Sequence, residues 1–219
     1  MNHLSTDTFV SFVEAYANRL VEMRDVLNNL DNRIGDGDHG TNMARGFSAA
    51  VDKLKSTPPP DVAVGCQLVA MTLLGSVGGA SGPLYSTVFM KLMAEWKGLT
   101  EVNRVQLQQG LQAALDGLIA RGKASVGDKT MVDLWTPVVR RLAETESVWD
   151  GADLMAVVKE AVLGTKDMIA KKGRAAYLGA RSQGTCDPGS LSSALFFEEL
   201  FAAVLPKGAE RIQWHTLAL

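Results

Sequence analysis

The sequence predicts an all-α protein, and three observations carry that prediction. Apolar residues recur at helical spacing along most of the 219 residues. No stretch alternates apolar and polar residues at period two over a useful length, and no hairpin turn joins two such runs. Glycine- and proline-bearing turns interrupt the chain at helix-length intervals, with no internal repeat and no long linker. A hydrophobic content of 47% suffices for one sizeable core, so residues 1–219 are expected to form a single domain.

The elements follow in order. Phe9, Phe12, Val13, Tyr16, Leu20, Met23, Leu27 and Leu30 share one face of a first helix, with Thr6 or Asp7 as its cap. A second is predicted from about Asn42 to Lys55 and stops at Thr57-Pro58-Pro59-Pro60, because proline cannot continue a helix. Asp61 caps a third, from Val62 to about Ser76. The turn Gly78-Gly79-Ala80-Ser81-Gly82-Pro83 leads into a fourth that ends near Trp96. Thr100 caps a fifth, to about Arg121, followed by a polar loop from Gly122 to Lys129. A sixth runs from about Met131 to Glu144, with Thr130 as candidate cap, and Asp150 opens a seventh that reaches about Lys172. Arg174 to Asp187 is expected to be irregular. Pro188 suits the first turn of an eighth helix, to about Val204.

The formal net charge of −2 argues against a general nucleic-acid binder, which carries a basic excess. The polar start, Met1-Asn2-His3-Leu4-Ser5-Thr6-Asp7, lacks a basic-then-apolar signal. Glycines interrupt the longest apolar run, Val69 to Ala80, so no membrane span is expected. Two cysteines make no disulfide framework, and a cytoplasmic location with reduced thiols is the simplest expectation. Cys66 reads as core; Cys186 falls in a loop, where a thiol is open to reaction.

Chemistry concentrates in Asp31-Asn32-Arg33-Ile34-Gly35-Asp36-Gly37-Asp38-His39-Gly40-Thr41-Asn42. Three acids this close repel unless water or a cation screens them. A hard divalent cation is the natural partner, and the glycines let the backbone aim the carboxylates at one point. An EF-hand loop started at Asp36 would place Thr41 at its turn glycine and Phe47 at its bidentate glutamate, which excludes that calcium site. Mg²⁺ fits better, since a few carboxylates suffice when water and phosphate oxygens complete its shell. Free N–H groups of the helix starting near Thr41 or Asn42 would offer an anion site beside the metal. The alternative is a solvated acidic turn whose Asp and Asn side chains cap helices.

The other glycine-bearing loops are ambiguous singly. The amides of Gly78 to Gly82 and the Ser81 hydroxyl could hold phosphate oxygens, or the small residues could serve a close helix crossing. Gly127-Asp128-Lys129-Thr130-Met131 reads as a capped turn, and Asp187-Pro188-Gly189 as a helix start. Arg174 is either a surface charge or an anion clamp. No Walker A sequence occurs, so a nucleotide site would be of another design.

The ordered set is more specific than its parts. Gly35-Asp36-Gly37-Asp38-His39-Gly40-Thr41-Asn42-Met43, Gly78-Gly79-Ala80-Ser81-Gly82-Pro83-Leu84-Tyr85, Gly127-Asp128-Lys129-Thr130-Met131-Val132-Asp133, Gly173-Arg174-Ala175-Ala176-Tyr177-Leu178-Gly179-Ala180-Arg181 and Asp187-Pro188-Gly189 occur in this order. Over nearly the full chain this resembles the nucleotide-binding L subunit of dihydroxyacetone kinase, of the type that depends on the sugar phosphotransferase system. The resemblance implies an eight-helix antiparallel barrel with ADP or ATP at one end. It implies two Mg²⁺ ions held by Asp31, Asp36 and Asp38 and bridged to the phosphates. It places His39, Gly40, Thr41, Asn42, Ala80 and Ser81 at the phosphate end, and Gly122 and Met131 beside adenine and ribose. Arg174, Cys186, Asp187 and Pro188 would close the pocket.

In this family the L unit is either fused to a substrate-binding K domain that uses free ATP, or separate with its nucleotide resident. In the separate form a phosphohistidine protein of the phosphotransferase system recharges ADP, and the phosphoryl group passes to dihydroxyacetone held on the K subunit. A chain of 219 residues has no room for a K domain, which favours the separate form. Relatives can contact a transcription regulator. The alternatives are a subunit of an ATP-dependent kinase for another short ketose, a metal-dependent phosphohydrolase in which the aspartates activate water, and a regulatory module. His39 is read as orienting or hydrogen-bonding beside the metal rather than as a phosphorylated nucleophile.

Overall fold

The structure is a computed structural model that describes residues 3–145, 148–206 and 209–218. Met1 and Asn2 of the polar N-terminal stretch, and Leu219, lie outside the described residues. The α-helices are α1 (Thr6–Glu22), α2 (Arg24–Ile34), α3 (His39–Ser56), α4 (Val62–Ser76), α5 (Ser81–Trp96), α6 (Arg104–Gly122), α7 (Val132–Glu144), α8 (Gly151–Gly164), α9 (Pro188–Val204) and α10 (Trp214–Leu217). Thr165–Asp167 and Arg174–Ser182 are 3₁₀-helical, and a β-bridge joins Leu4 to Val102. No described helix is long and apolar enough to cross a membrane.

Local chemistry explains most boundaries. The Asp61 carboxylate accepts the Val64 N–H at 2.8 Å and Asp150 accepts that of Ala152 at 3.0 Å, as expected of N-caps. The cap of α1 is Ser5 rather than Thr6 or Asp7. Asn103, not Thr100, caps α6, because Gln106 reaches back to the Asn103 N–H and completes a capping box. The Thr130 hydroxyl accepts the Val132 N–H at 3.2 Å, but Met131 stands at the cap of α7.

Two expectations were wrong about continuity. The first predicted helix is two, broken at Met23 (φ −92°, ψ 5°). No glycine or proline marks the break, and Met23 stays fully buried, so the apolar stripe runs through it unaltered. The seventh predicted helix ends at Gly164 instead of Lys172. There the carbonyls of Thr165 and Met168 turn onto the Lys129 ammonium, and the chain leaves the helix axis. The irregular stretch after Arg174 is a 3₁₀ turn kinked at Gly179, whose φ of +54° favours glycine.

Packing closes a ring. α1 lies on α3, and each helix from α3 to α9 packs on the next. α9 returns to α1, giving eight helices in the closed circuit, while α2 lies against α3 and α9. Edge-on aromatic pairs fill the centre: Tyr16–Phe47 at 4.6 Å, Phe12–Phe196 at 5.2 Å and Trp135–Phe197 at 4.8 Å. Each such pair adds about 0.5–1.5 kcal/mol beyond its area burial. Helix α9 is buried along nearly its whole length. Polar contacts cross this buried helix: Tyr16 donates to the Ser192 carbonyl at 3.0 Å, and Glu198 accepts the Trp214 indole N–H at 2.7 Å, tying α10 to the ring.

Candidate functional site

The acidic loop sits between α2 and α3. Gly35 donates to the Asp31 carbonyl, and Gly37 takes φ +79°, which turns the chain sharply. One oxygen of Asp31, Oδ2, accepts the amides of Asp38 at 2.9 Å and His39 at 3.1 Å, drawing the start of α3 over the end of α2. Asp31, Asp36 and Asp38 each bring a carboxylate oxygen within 4.8 Å of the others. Burial raises the Asp31 pKa, the two amides oppose it, and the neighbouring charges of Asp36 and Asp38 raise it further. A set of three hard oxygen donors with mutual repulsion fits a divalent cation.

The sequence offers two helix starts to an anion, that of α3 and that at Gly78 to Gly82, and the two differ in how their amides are engaged. The His39 amide is already given to Asp31 and the Thr41 amide to the Asn28 carboxamide at 3.0 Å. Helix α5 begins with no side-chain cap, at Gly79-Ala80-Ser81 across the same opening. Its first amides remain available to an anion.

His39 joins the two helix starts. Its Nδ1 lies 3.1 Å from the Ser81 hydroxyl and its Nε2 2.9 Å from the Ser192 hydroxyl. Burial lowers its pKa to about 4, against the opposing pull of Asp38 and Asp36. The imidazole is neutral near pH 7, and both ring nitrogens lie within hydrogen-bond distance of serine hydroxyls, an arrangement that suits orientation of Ser81. Tyr85 extends the chain of hydroxyls, 2.9 Å from Ser192 and 3.1 Å from Ser193.

A cleft of about 580 Å³ opens from the triad. Asp31, Asp36, Asp38, His39, Asn42, Ala80, Ser81, Gly122, Met131, Arg174, Asp187 and Pro188 all line it. Arg174 reaches over from the 3₁₀ segment, its Nη1 at 2.6 Å from Asp36 Oδ2. Asp187 caps α9, accepting the Ser190 amide at 2.7 Å; burial pushes its carboxyl up to about 7, against Ser190 and the Lys129 charge.

Gly40, Thr41 and Cys186 are not in the cleft lining. Gly40 is buried against the Arg24 carbonyl, where only a glycine fits. The Thr41 hydroxyl accepts from Asn28 Nδ2 at 2.9 Å and is turned from the cleft. Cys186 is fully buried, and desolvation raises its thiol pKa, so burial disfavours the reactive thiolate in this loop. Lys129, Leu84 and Lys172 line the cleft without having been named as site residues. Lys129 stands in the motif from Gly127 to Asp133, but its partners are carbonyls more than thirty positions away.

The fold and cleft together define an all-helical barrel with an acidic triad and an uncapped helix start facing each other at one mouth. The chain belongs to the family of the DAK2 domain, whose model matches residues 33–202. It is 40% identical over 194 residues to the ADP-binding subunit DhaL of PEP-dependent dihydroxyacetone kinase 1 from Listeria innocua serovar 6a, covering 89% of this chain and 94% of that one. It is 42% identical over 181 residues to the corresponding DhaL of Escherichia coli K12, covering 80% and 86%. The crystal structure of the native dihydroxyacetone kinase of C. freundii aligns with a TM-score of 0.63 at 25% identity. That match covers 88% of this chain but 33% of the C. freundii chain, so this protein spans about a third of that kinase. The same enzyme in complex with AMP-PNP and Mg²⁺ aligns with a TM-score of 0.64 at 24% identity, a likeness of fold.

Proposed function

We propose that this chain is the nucleotide-binding subunit of a dihydroxyacetone kinase, a phosphotransferase that acts with a substrate-binding K subunit. The observation that carries the reading is the meeting of Asp31, Asp36 and Asp38 opposite the uncapped start of α5. Its relatives named as ADP-binding subunits support ADP or ATP as the ligand. Residues 1–219 act as one nucleotide-binding domain of a cytoplasmic complex.

Mg²⁺, two ions in this reading, supplies the charge neutralisation that phosphoryl transfer requires. The chain does the positioning. Asp31, Asp36 and Asp38 hold the metal, and the amides at Ala80 and Ser81 take phosphate oxygens. His39, neutral and held from both sides, fixes the Ser81 hydroxyl. Met131 and Gly122 border the base and ribose, and Arg174 folds over the opening. The K subunit delivers dihydroxyacetone to the mouth, and a phosphohistidine protein of the phosphotransferase system recharges the resident ADP.

The test mixes the purified chain, a K subunit and dihydroxyacetone, and compares free ATP with the phosphohistidine donor at stoichiometric ADP. Sustained turnover with the donor and K subunit together is expected, and none from the chain alone. Turnover equally fast on free ATP would overturn the resident-cofactor version; ketose phosphorylation by the isolated chain would overturn the two-subunit reading.

A further inference from the structure

Lys129 is the least expected residue at the cleft. Its side chain is only 2% exposed, and its backbone takes φ +60°, a left-handed conformation that side chains rarely adopt. The turn that carries it is fixed by Asp133, whose carboxylate accepts the amides of Gly127 and Thr130. The ammonium is thereby aimed into a cage of four backbone carbonyls: Thr165 at 2.8 Å, Met168 at 3.2 Å, Ser182 at 2.7 Å and Thr185 at 2.6 Å.

A ring of carbonyls at such distances is the environment that replaces the hydration shell of a monovalent cation. The ammonium has three N–H donors for four oxygens, so one proton is shared. A neutral amine would offer two donors and turn a lone pair on the remaining carbonyls, which the cage opposes. Burial lowers the Lys129 pKa, but the charge of Asp187 leads the pull in the other direction.

The four carbonyls belong to both ends of one segment, residues 165–168 and 182–185. Between them lie Lys172, Gly173, Arg174 and Ala175, which form one wall of the cleft. We infer that Lys129 is a built-in monovalent cation that closes this loop at its base and so holds Arg174 over the acidic triad. It is a positioning residue, acting through the segment and not on the nucleotide. The inference deepens the proposed function and rests on it only for Arg174's contact with nucleotide.

The test separates the two. In nucleotide-free protein, Lys129→Met keeps the volume of the side chain and removes its charge. Amide hydrogen exchange within residues 165–185 should rise at least tenfold, with the α1–α6 amides unchanged. Mg²⁺–ADP affinity should fall about tenfold, and Arg174→Ala added to Lys129→Met should lower it no further. In Lys129→Ala, which vacates the cage, K⁺ or ethylammonium should restore slow exchange where Na⁺ does not. Parent-like exchange in Lys129→Met would overturn the inference, as would global unfolding of that variant, since the role is confined to one segment. Fully additive losses in the double variant would overturn the route through Arg174, and the absence of any cation-specific recovery in Lys129→Ala would overturn the cation role. Faster exchange together with unaltered ADP affinity in both Arg174→Ala and Asp36→Asn would leave Lys129 as stated and remove the nucleotide reading.

Discussion

The Arg174 guanidinium lies 2.6 Å from the Asp36 carboxylate, so a cation from the 3₁₀ segment answers one of the three crowded acids. The Arg174 side chain is 67% exposed, and such a pair contributes only about 0.2–1 kcal/mol. It is weak enough to be exchanged for a better partner.

Two opposite effects are therefore expected of Arg174→Ala. Affinity for Mg²⁺ alone should rise, by no more than about fivefold, because a competitor for Asp36 is gone. Affinity for Mg²⁺–ADP should fall about tenfold, the worth of one charged hydrogen bond to phosphate. Calorimetric titrations with and without ADP measure both. A fall in both affinities would mean that Arg174 does not exchange between Asp36 and the ligand.

Asp38→Asn removes one charge from the triad while keeping a similar shape. Without metal the variant should melt at or slightly above the parent temperature, since repulsion among the acids is relieved. Saturating Mg²⁺–ADP should raise the parent's melting temperature by linkage, and EDTA should reverse it. The same ligand should shift Asp38→Asn far less. An equal shift in both proteins would contradict the metal role of Asp38.

Helix content and the Asp61 and Asp150 caps were legible because they depend on neighbours in sequence, whereas the caps at Ser5, Asn103 and Met131 fell on other residues than expected. The stripe from Phe9 to Leu30, the Asp61 and Asp150 caps and the helix start at Asp187-Pro188-Gly189 are short-range patterns, and each is present. The break at Met23 and the early end of α8 were not legible: the first leaves the apolar period intact, and the second is set by a lysine 36 positions before Thr165. The cleft shows the same division. The acids of residues 31–38 announced themselves by crowding. The diversion of the α3 amides to Asp31 and Asn28, and the burial of Cys186, depend on which helices meet.

Asp187 gives a pH dependence whose sign can be fixed in advance. Its carboxyl ionises at 3.8 in ordinary surroundings and at about 7 in the folded protein. Between those values the folded chain keeps a proton that the unfolded chain has released, so its contribution to stability declines as pH rises through the window. Asp187→Asn still offers an oxygen to the Ser190 amide but does not titrate. The difference in melting temperature, variant minus parent, should grow from the acid end of the window and level off above about pH 7. A difference independent of pH would show that Asp187 is ionised throughout.

Gly40 supplies the last test, of the approach between α2 and α3 that aims the triad. It lies in the first turn of α3, where alanine is ordinarily the better helix former by about 1 kcal/mol. Here a methyl group would run into the Arg24 carbonyl at the start of α2 and come within 2.9 Å of the Asn28 carboxamide. The carbonyl is backbone and cannot swing away, so the start of α3 must shift, and with it Asp38 and His39. Gly40→Ala should therefore lose about 1–3 kcal/mol, the usual result of overpacking, and lower the melting temperature by roughly 2–4 °C for each kcal/mol. Mg²⁺–ADP affinity should fall with it. Gly75→Ala is the matched control, because that helical glycine in α4 has open space where its methyl would go. It should gain up to about 1 kcal/mol and bind as the parent does. Equal stability of the two variants would mean that α3 does not rest on the Arg24 carbonyl, and the geometry of the acidic triad would have to be drawn again.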